Sequence, residues 1–157
     1  MGGPGVIDGK EHPETDNYLP CKFVINGITY SSVENYFQCA KTTNEQDREK
    51  ILNSGPGDLC QLAGQMIQLR SDWKSIKVDE MYKGNLAKFQ QNEDLRKPLL
   101  ESGAGSIHFT ESTPFWNHWN DLIMQRIRAE LRQNGEEDAH CATEIRQAME
   151  KYAQENK

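Results

Sequence analysis

The segment that most restricts this chain lies between Phe23 and Lys41. Two short β-rich runs, Phe23-Val24-Ile25 and Ile28-Thr29-Tyr30, flank Asn26-Gly27. Asn-Gly between apolar runs favours a tight two-residue hairpin, because both turn positions need positive φ. The strand residues then run straight into Ser31-Ser32-Val33-Glu34, the pattern of a helix-opening capping box with Ser31 as N-cap. Val33, Tyr36, Phe37 and Ala40 follow at i, i+3, i+4, i+7, one apolar stripe of a helix. Glu34, Gln38 and Lys41 fall on a separate polar stripe of the same helix.

Further helices are expected from Thr43 or Asn44 to Asn53, and from Asp58, with Leu59, Leu62, Ala63 and Met66 turned inward. The next opens at Ser71 or Asp72 and places Trp73, Ile76, Met81, Leu86 and Phe89 in the core, with a break near Ile76 to Val78. A short helix through Leu95, Leu99 and Leu100 ends at Gly103, limited or kinked by Pro98. Ser106 to Phe109 reads as a short strand, and Trp116 to Leu131 as a helix ended by Asn134-Gly135. Residues 137–154 form one more amphipathic, acidic helix, which either packs on the same domain or docks a partner. The fold class is therefore mainly α: a single compact helical domain with a small amino-terminal β-hairpin. Residues 1–16, rich in Gly, Pro and charge, read as a flexible lead-in, 17–132 as the domain, and 133–157 as the added helix.

At 157 residues the chain has the length of one domain and can bury a core without staples. Cys21, Cys39, Cys60 and Cys141 lie far apart with no zinc-ligand spacing, so they read as free thiols; no cofactor is expected of the chain. Free thiols fit a reducing compartment, and the cytoplasm is the expected location. No run approaches the ~20 apolar residues of a membrane span. The opening MGGPGVIDGK lacks a secretory signal, and Val6 breaks a myristoylation pattern. Net charge is -6. Residues 1–40 carry -3, 41–100 carry +1 and 101–157 carry -4, so general nucleic-acid affinity is not expected and a small anionic ligand would dock in the middle of the chain.

Three places could carry chemistry. Glu34 is either the capping carboxylate of its helix or an acid facing a cleft, where it would oppose the positive charge of a reaction through a sugar cation. In Arg70-Ser71-Asp72-Trp73, the tryptophan is either core or a platform for a heterocycle, with Arg70 reaching a phosphate. Thr110 to Trp116 is a polar, aromatic loop between a strand and a helix, where sites concentrate. Gly55-Pro56-Gly57 lacks the Lys and Ser/Thr of a phosphate loop, and no nucleophile elbow is present.

Asn17-Tyr18 and the block Phe23 to Lys41, with its Ser-x-x-Glu-x-Tyr-Phe-Gln-x-x-Lys core, closely resemble the start of the YbiA-like, or NADAR, family. Later landmarks come in family order: Leu62-Ala63-Gly64, Arg70 to Trp73, Met81, Lys88-Phe89, Asn92, Leu99-Leu100, Gly103, Thr110-Glu111, Trp116 and Leu122 to Met124. The resemblance implies a mostly helical N-glycosidase that cleaves a ribose–nitrogen bond without a metal. It implies a small phosphorylated ribose or nucleotide substrate, either a riboflavin-pathway intermediate or ADP-ribose attached to guanine. By position it assigns Glu34, Lys41 and Trp73 to catalysis, with Lys41 either donating toward the substrate or forming an imine with the opened sugar. Asn17, Arg70, Glu111, Thr113, Trp116 and Asn120 would hold the substrate. The chain departs from the family at Thr113, where an acid is usual, at Gln65, where an arginine is usual, and in the short stretch after Trp116. Those departures leave two other readings: a weakened ADP-ribose or nucleotide-binding module, and an interaction protein working through its carboxy-terminal helix.

Overall fold

A computed structural model of the chain describes residues 2–157. Among them run β1 (Gly5–Ile7), β2 (Lys10–His12), β3 (Phe23–Ile25), β4 (Ile28–Tyr30), α1 (Val33–Ala40), α2 (Glu45–Leu52) and α3 (Asp58–Gln65). The order continues with α4 (Trp73–Gln91), α5 (Glu93–Leu100), β5 (Ile107–His108), α6 (Pro114–Arg132) and α7 (Gly135–Glu155). The fold is mainly helical, as expected. No helix among the described residues is long and apolar enough to cross a membrane.

The β3–β4 hairpin turns at Asn26 (φ 51°) and Gly27 (φ 78°), the geometry that Asn-Gly favours. Residues read as a loose lead-in form a second hairpin. Asp8 (φ 51°) and Gly9 (φ 78°) repeat the same turn, β1 pairs antiparallel with β2, and β1 pairs on its other edge with β5. Ile7 and Ile107 bury the inner face of this sheet.

Three sequence expectations are corrected. Ser32, not Ser31, is the N-cap of α1: its Oγ accepts from the Asn35 N–H at 2.9 Å and donates to the Pro56 carbonyl at 2.7 Å. The shift makes Glu34 the second residue of the helix rather than the third, the position from which a capping-box carboxylate reaches back to the cap N–H. Second, α3 does not turn its leucines inward. Leu59, Leu62 and Met66 are exposed, Met66 to 86 %, whereas Cys60 and Gly64 face the core. The reason is close approach: Gln38 of α1 lies against Gly64, and that contact sets the buried face. Third, α4 is continuous from Trp73 to Gln91 with no break near Ile76.

The core runs between α1, α4 and α6, with Phe37, Met81, Phe89, Ile123 and Ile127 fully or almost fully buried. Asn35 ties α1 to the end of α2: its Nδ2 donates to the carbonyls of Ile51, Leu52 and Gly55 at 3.3, 3.2 and 2.9 Å. Carbonyls at a helix terminus lack intrahelical partners, so a buried amide there is stabilising. The carboxy-terminal helix spends its apolar stripe internally. Ile145 and Met149 of α7 are buried, and the helix packs on α6 and α4. A clamp sets the turn before it: Asp138 accepts from Arg132 Nε at 2.9 Å, Arg132 Nη2 at 2.7 Å and the Asn134 N–H at 2.7 Å.

Candidate active site

α1 carries Glu34 in its first turn, where the helix amino terminus turns partial positive charge toward it. The side chain is 0 % exposed. Its Oε1 accepts from Gln38 Nε2 at 2.7 Å, one turn on, and its backbone N–H donates to the Asn17 carbonyl at 2.9 Å. Asn17 is itself held, with its Oδ1 accepting from Asn85 Nδ2 of α4 at 3.1 Å. Lys88, fully buried one turn beyond, donates from Nζ to the neighbouring Asp16 carbonyl at 3.0 Å. The segment 16–18 is therefore strapped down from below by α4, and it in turn fixes the start of α1.

Above this base lies a cavity of about 230 Å³ lined by Phe37, Gln38, Lys41, Gln61, Gln65, Trp73, Lys77, Thr113 and Trp116. Gln61 and Thr113 are shared with a more open groove of about 560 Å³ that also includes Gly2, Gly3, Tyr18, Glu111 and Ser112. Together they form one cleft. Its aromatic wall is a packed set: Phe37 lies 5.0 Å from Trp73 and 5.2 Å, edge-on, from Trp116. Trp116 continues into Phe115 at 4.9 Å, and Phe115 into Tyr152 of α7 at 5.8 Å, so the last helix buttresses the wall. Thr113 is the N-cap of α6, its Oγ1 accepting from the Trp116 N–H at 3.2 Å, which fixes where Trp116 stands.

The electrostatics of the cleft are mixed. Burial pushes the Lys41 ammonium below its ordinary value; Glu34 opposes this and Lys77 adds to it. Lys77 is lowered too, by burial and by Lys74. Its Nζ sits 4.4 Å from the Phe115 ring centre, a cation–π contact. Cys60 and Cys39 are pushed up to about 12, mainly by burial, so they stay protonated thiols and poor nucleophiles. The arrangement joins a buried carboxyl group, a lysine biased toward its neutral form, two indoles and a second lysine, Lys77. Such a set can hold a flat, anionic substrate and oppose positive charge that develops on it.

The residues singled out from the sequence separate into groups. Lys41, Trp73, Thr113 and Trp116 line the smaller cavity, Glu111 and Thr113 line the open groove, and Glu34 and Asn17 lie buried behind them. Asn120 is buried on α6 and lines neither space. Arg70 goes elsewhere. It is paired with Asp72 at 2.6 Å and lines a different cavity, although Trp73 is only three residues on. Sequence reasoning did not assign Gln38, Gln61, Lys77, Tyr18 or Asn85. Two of these carried a signal: Gln38 is at i+4 from Glu34, and Lys77 is at i+4 from Trp73. Tyr18, which donates to Gln61 Oε1, and Gln61 meet only through tertiary contact.

Comparison with known proteins bears on the family. The chain is 30% identical over 109 residues to N-glycosidase YbiA of Escherichia coli (strain K12), covering 68% of each. It is 26% identical over 136 residues to the riboflavin biosynthesis protein VVA0006 of Vibrio vulnificus, covering 80% of this chain and 37% of that one. The NMR structure of the Escherichia coli protein YbiA superposes with a TM-score of 0.65 at 26% identity, over 76% of this chain and 77% of that one. The NADAR domain family model matches residues 6–137, a span that runs from within β1 through α6 and holds the cleft residues named above except Gly2 and Gly3. The chain belongs to the NADAR domain family.

Proposed function

We propose that the protein is an N-glycosidase that hydrolyses the bond between a ribose carbon and a nitrogen in a small phosphorylated nucleotide-like substrate. The observation that carries this is the placement of Glu34: a carboxylate with no exposed surface, held by Gln38 behind a cleft walled by Trp73 and Trp116. N-glycoside cleavage passes through a sugar with oxocarbenium character, and a fixed anion beside it lowers the barrier without reorganising. The C1′–N bond breaks with its electron pair leaving on nitrogen. A water oxygen takes the vacated position on C1′, and the nitrogen gains a proton. Trp73 supports the flat base, and Lys77 and Lys41 face the phosphate and the sugar. In its neutral form the Lys41 amine can instead add to C1′ of the ring-opened substrate and expel the base nitrogen, which leaves with a proton; the resulting lysine imine is then hydrolysed by water to the sugar aldehyde and the free amine, and burial of Lys41 favours the neutral form.

Of the two substrate classes, the phosphorylated riboflavin-pathway intermediates are preferred, because a relative bears a riboflavin biosynthesis name. ADP-ribose on guanine is the alternative. The four cysteines, none in a disulfide, fit activity in the reducing cytoplasm. The test is direct: incubate the protein with each phosphorylated ribosylamine intermediate and, separately, with ADP-ribosylated guanine DNA, and measure released ribose phosphate or base. Release from the first supports the reading, and release from the second alone moves the substrate. Thr113 is spent on capping α6, where the family carries an acid. Tight binding without release from either would therefore favour the weakened binding module.

A further inference from the structure

α1 separates two cavities. At about 100° per residue, Phe37, Gln38 and Lys41 share one side of the helix and face the cleft, while Tyr36, Cys39 and Ala40 lie on the opposite side. That opposite side has its own cavity of about 230 Å³, closed by Ile25 and Ile28 of the hairpin, by Tyr30, and by Arg48 and Arg70. We infer that this cavity is a second, separate site that binds a phosphate group, free or on a small ester, through Arg48 and Arg70 on the far side of α1 from the candidate active cleft.

Charge supports an anion. The lining holds two guanidiniums and one acid, Glu80. Glu80 is already engaged: its Oε2 accepts from the Tyr36 hydroxyl at 2.5 Å, and its Oε1 faces Lys83 Nζ at 3.5 Å. The guanidiniums are less committed. The ion pair of Arg48 with Glu45 spans 3.9 Å on the surface, too long for a hydrogen bond. Arg70 gives Nε and Nη2 to Asp72 and keeps Nη1. Planar guanidiniums with spare N–H groups are the usual grip on phosphate oxygens.

A phenol on the cavity wall completes the set. Tyr30 lines the cavity and is 5 % exposed. Its ring stacks on Phe23 at 5.9 Å and meets Tyr36 edge-on at 5.0 Å, which fixes the direction of the phenol. A phosphate oxygen between it and the two arginines would accept from the phenol as well as from the guanidiniums. Ile25 and Ile28 leave an apolar side for a short ester group. The site does not depend on turnover in the cleft, although one bond joins the two: the Arg70 N–H donates to the Lys41 carbonyl at 2.8 Å.

The test is a titration of the full-length, 15N-labelled chain with inorganic phosphate and, separately, ribose 5-phosphate at constant ionic strength. The backbone signals of Tyr30, Arg48 and Arg70 should shift and saturate. Arg48→Met, at a half-exposed position, and Arg70→Met should each weaken that curve by about tenfold or more while the rest of the spectrum stays folded. Lys77→Met, in the cleft, should leave it in place. Equal affinity for the two probes identifies a free-phosphate site, and tighter binding of the ester a monoester site. Shifts that never saturate, a curve unchanged by both arginine variants, or a curve lost in Lys77→Met would overturn the inference.

Discussion

Gly64→Ala tests how closely the cleft is built. A Cβ at position 64 would lie 2.0 Å from Gln38 Oε1 and 2.9 Å from its Cδ. Ordinary carbon–oxygen contact is more than 1 Å longer, and Gln38 is only 1 % exposed, so its amide cannot step aside into solvent. It must rotate, and the 2.7 Å bond from Nε2 to Glu34 goes with it. Overpacking costs about 1–3 kcal/mol, and a lost hydrogen bond to a charged group about 1.5–3 kcal/mol. Alanine's better helix propensity returns about 1 kcal/mol. The net expectation is a loss of about 2–4 kcal/mol in urea unfolding. Turnover should fall roughly 10–100-fold, because misplacing Glu34 by one such bond costs about 1.4–2.8 kcal/mol of transition-state stabilisation. The double variant Gly64→Ala with Gln38→Ala removes the clash. It should recover much of the stability but not the rate, a non-additive cycle of the kind contacting residues give. A Gly64→Ala protein as stable and as active as the parent would show that the Gly64–Gln38–Glu34 stack does not position the carboxylate.

Other outcomes follow from the same geometry. If turnover needs the neutral Lys41 amine, rate rises with pH through a Lys41 titration that burial has moved below the usual lysine range. Lys77→Met should move that limb to higher pH, because it removes a repelling cation, and a pH–rate profile checks the direction. Lys88 is lowered to about 8 by complete burial. The unfolded chain keeps this proton up to about 10.4, so stability gained by deprotonating the folded state appears as pH rises from about 8 toward 10.4. The parent should therefore gain stability relative to Lys88→Met over that interval in parallel urea titrations, and a constant difference would refute the buried charge. Met149→Ala in α7 should cost about 2–4 kcal/mol by leaving a cavity under α6. Tryptophan fluorescence should report a loosened Trp116 and Trp119, because Tyr152 on the same helix packs on Trp119 directly and on Trp116 through Phe115.

What the sequence disclosed was mostly local. Asn26-Gly27, Asn44 as a cap, and the stripes of α1 and α6 depend on neighbours a few residues apart, and each formed near its expected place. The first hairpin carries a turn signal of the same kind in Asp8-Gly9, but its strands are three residues each, β2 is polar, and their third partner, β5, lies about a hundred residues away. The inward face of α3 was misread for a different reason. Periodicity points at leucines, but the packed face here is selected by a glycine that admits a glutamine side chain. The site was half legible. Glu34 and Lys41 share one short block around α1, whereas Arg70 and Trp73, three residues apart, diverge to opposite sides of α1. Only the loop geometry decides that.

The central claim is that Glu34 is buried for chemistry rather than for folding. Glu34→Gln keeps the shape and an oxygen that can accept from Gln38, so the variant should unfold within about 1 kcal/mol of the parent. Its release of ribose phosphate from the substrate that the parent cleaves should fall by about a thousandfold or more. A variant that turns over at the parental rate, with or without a loss of stability, would contradict the account.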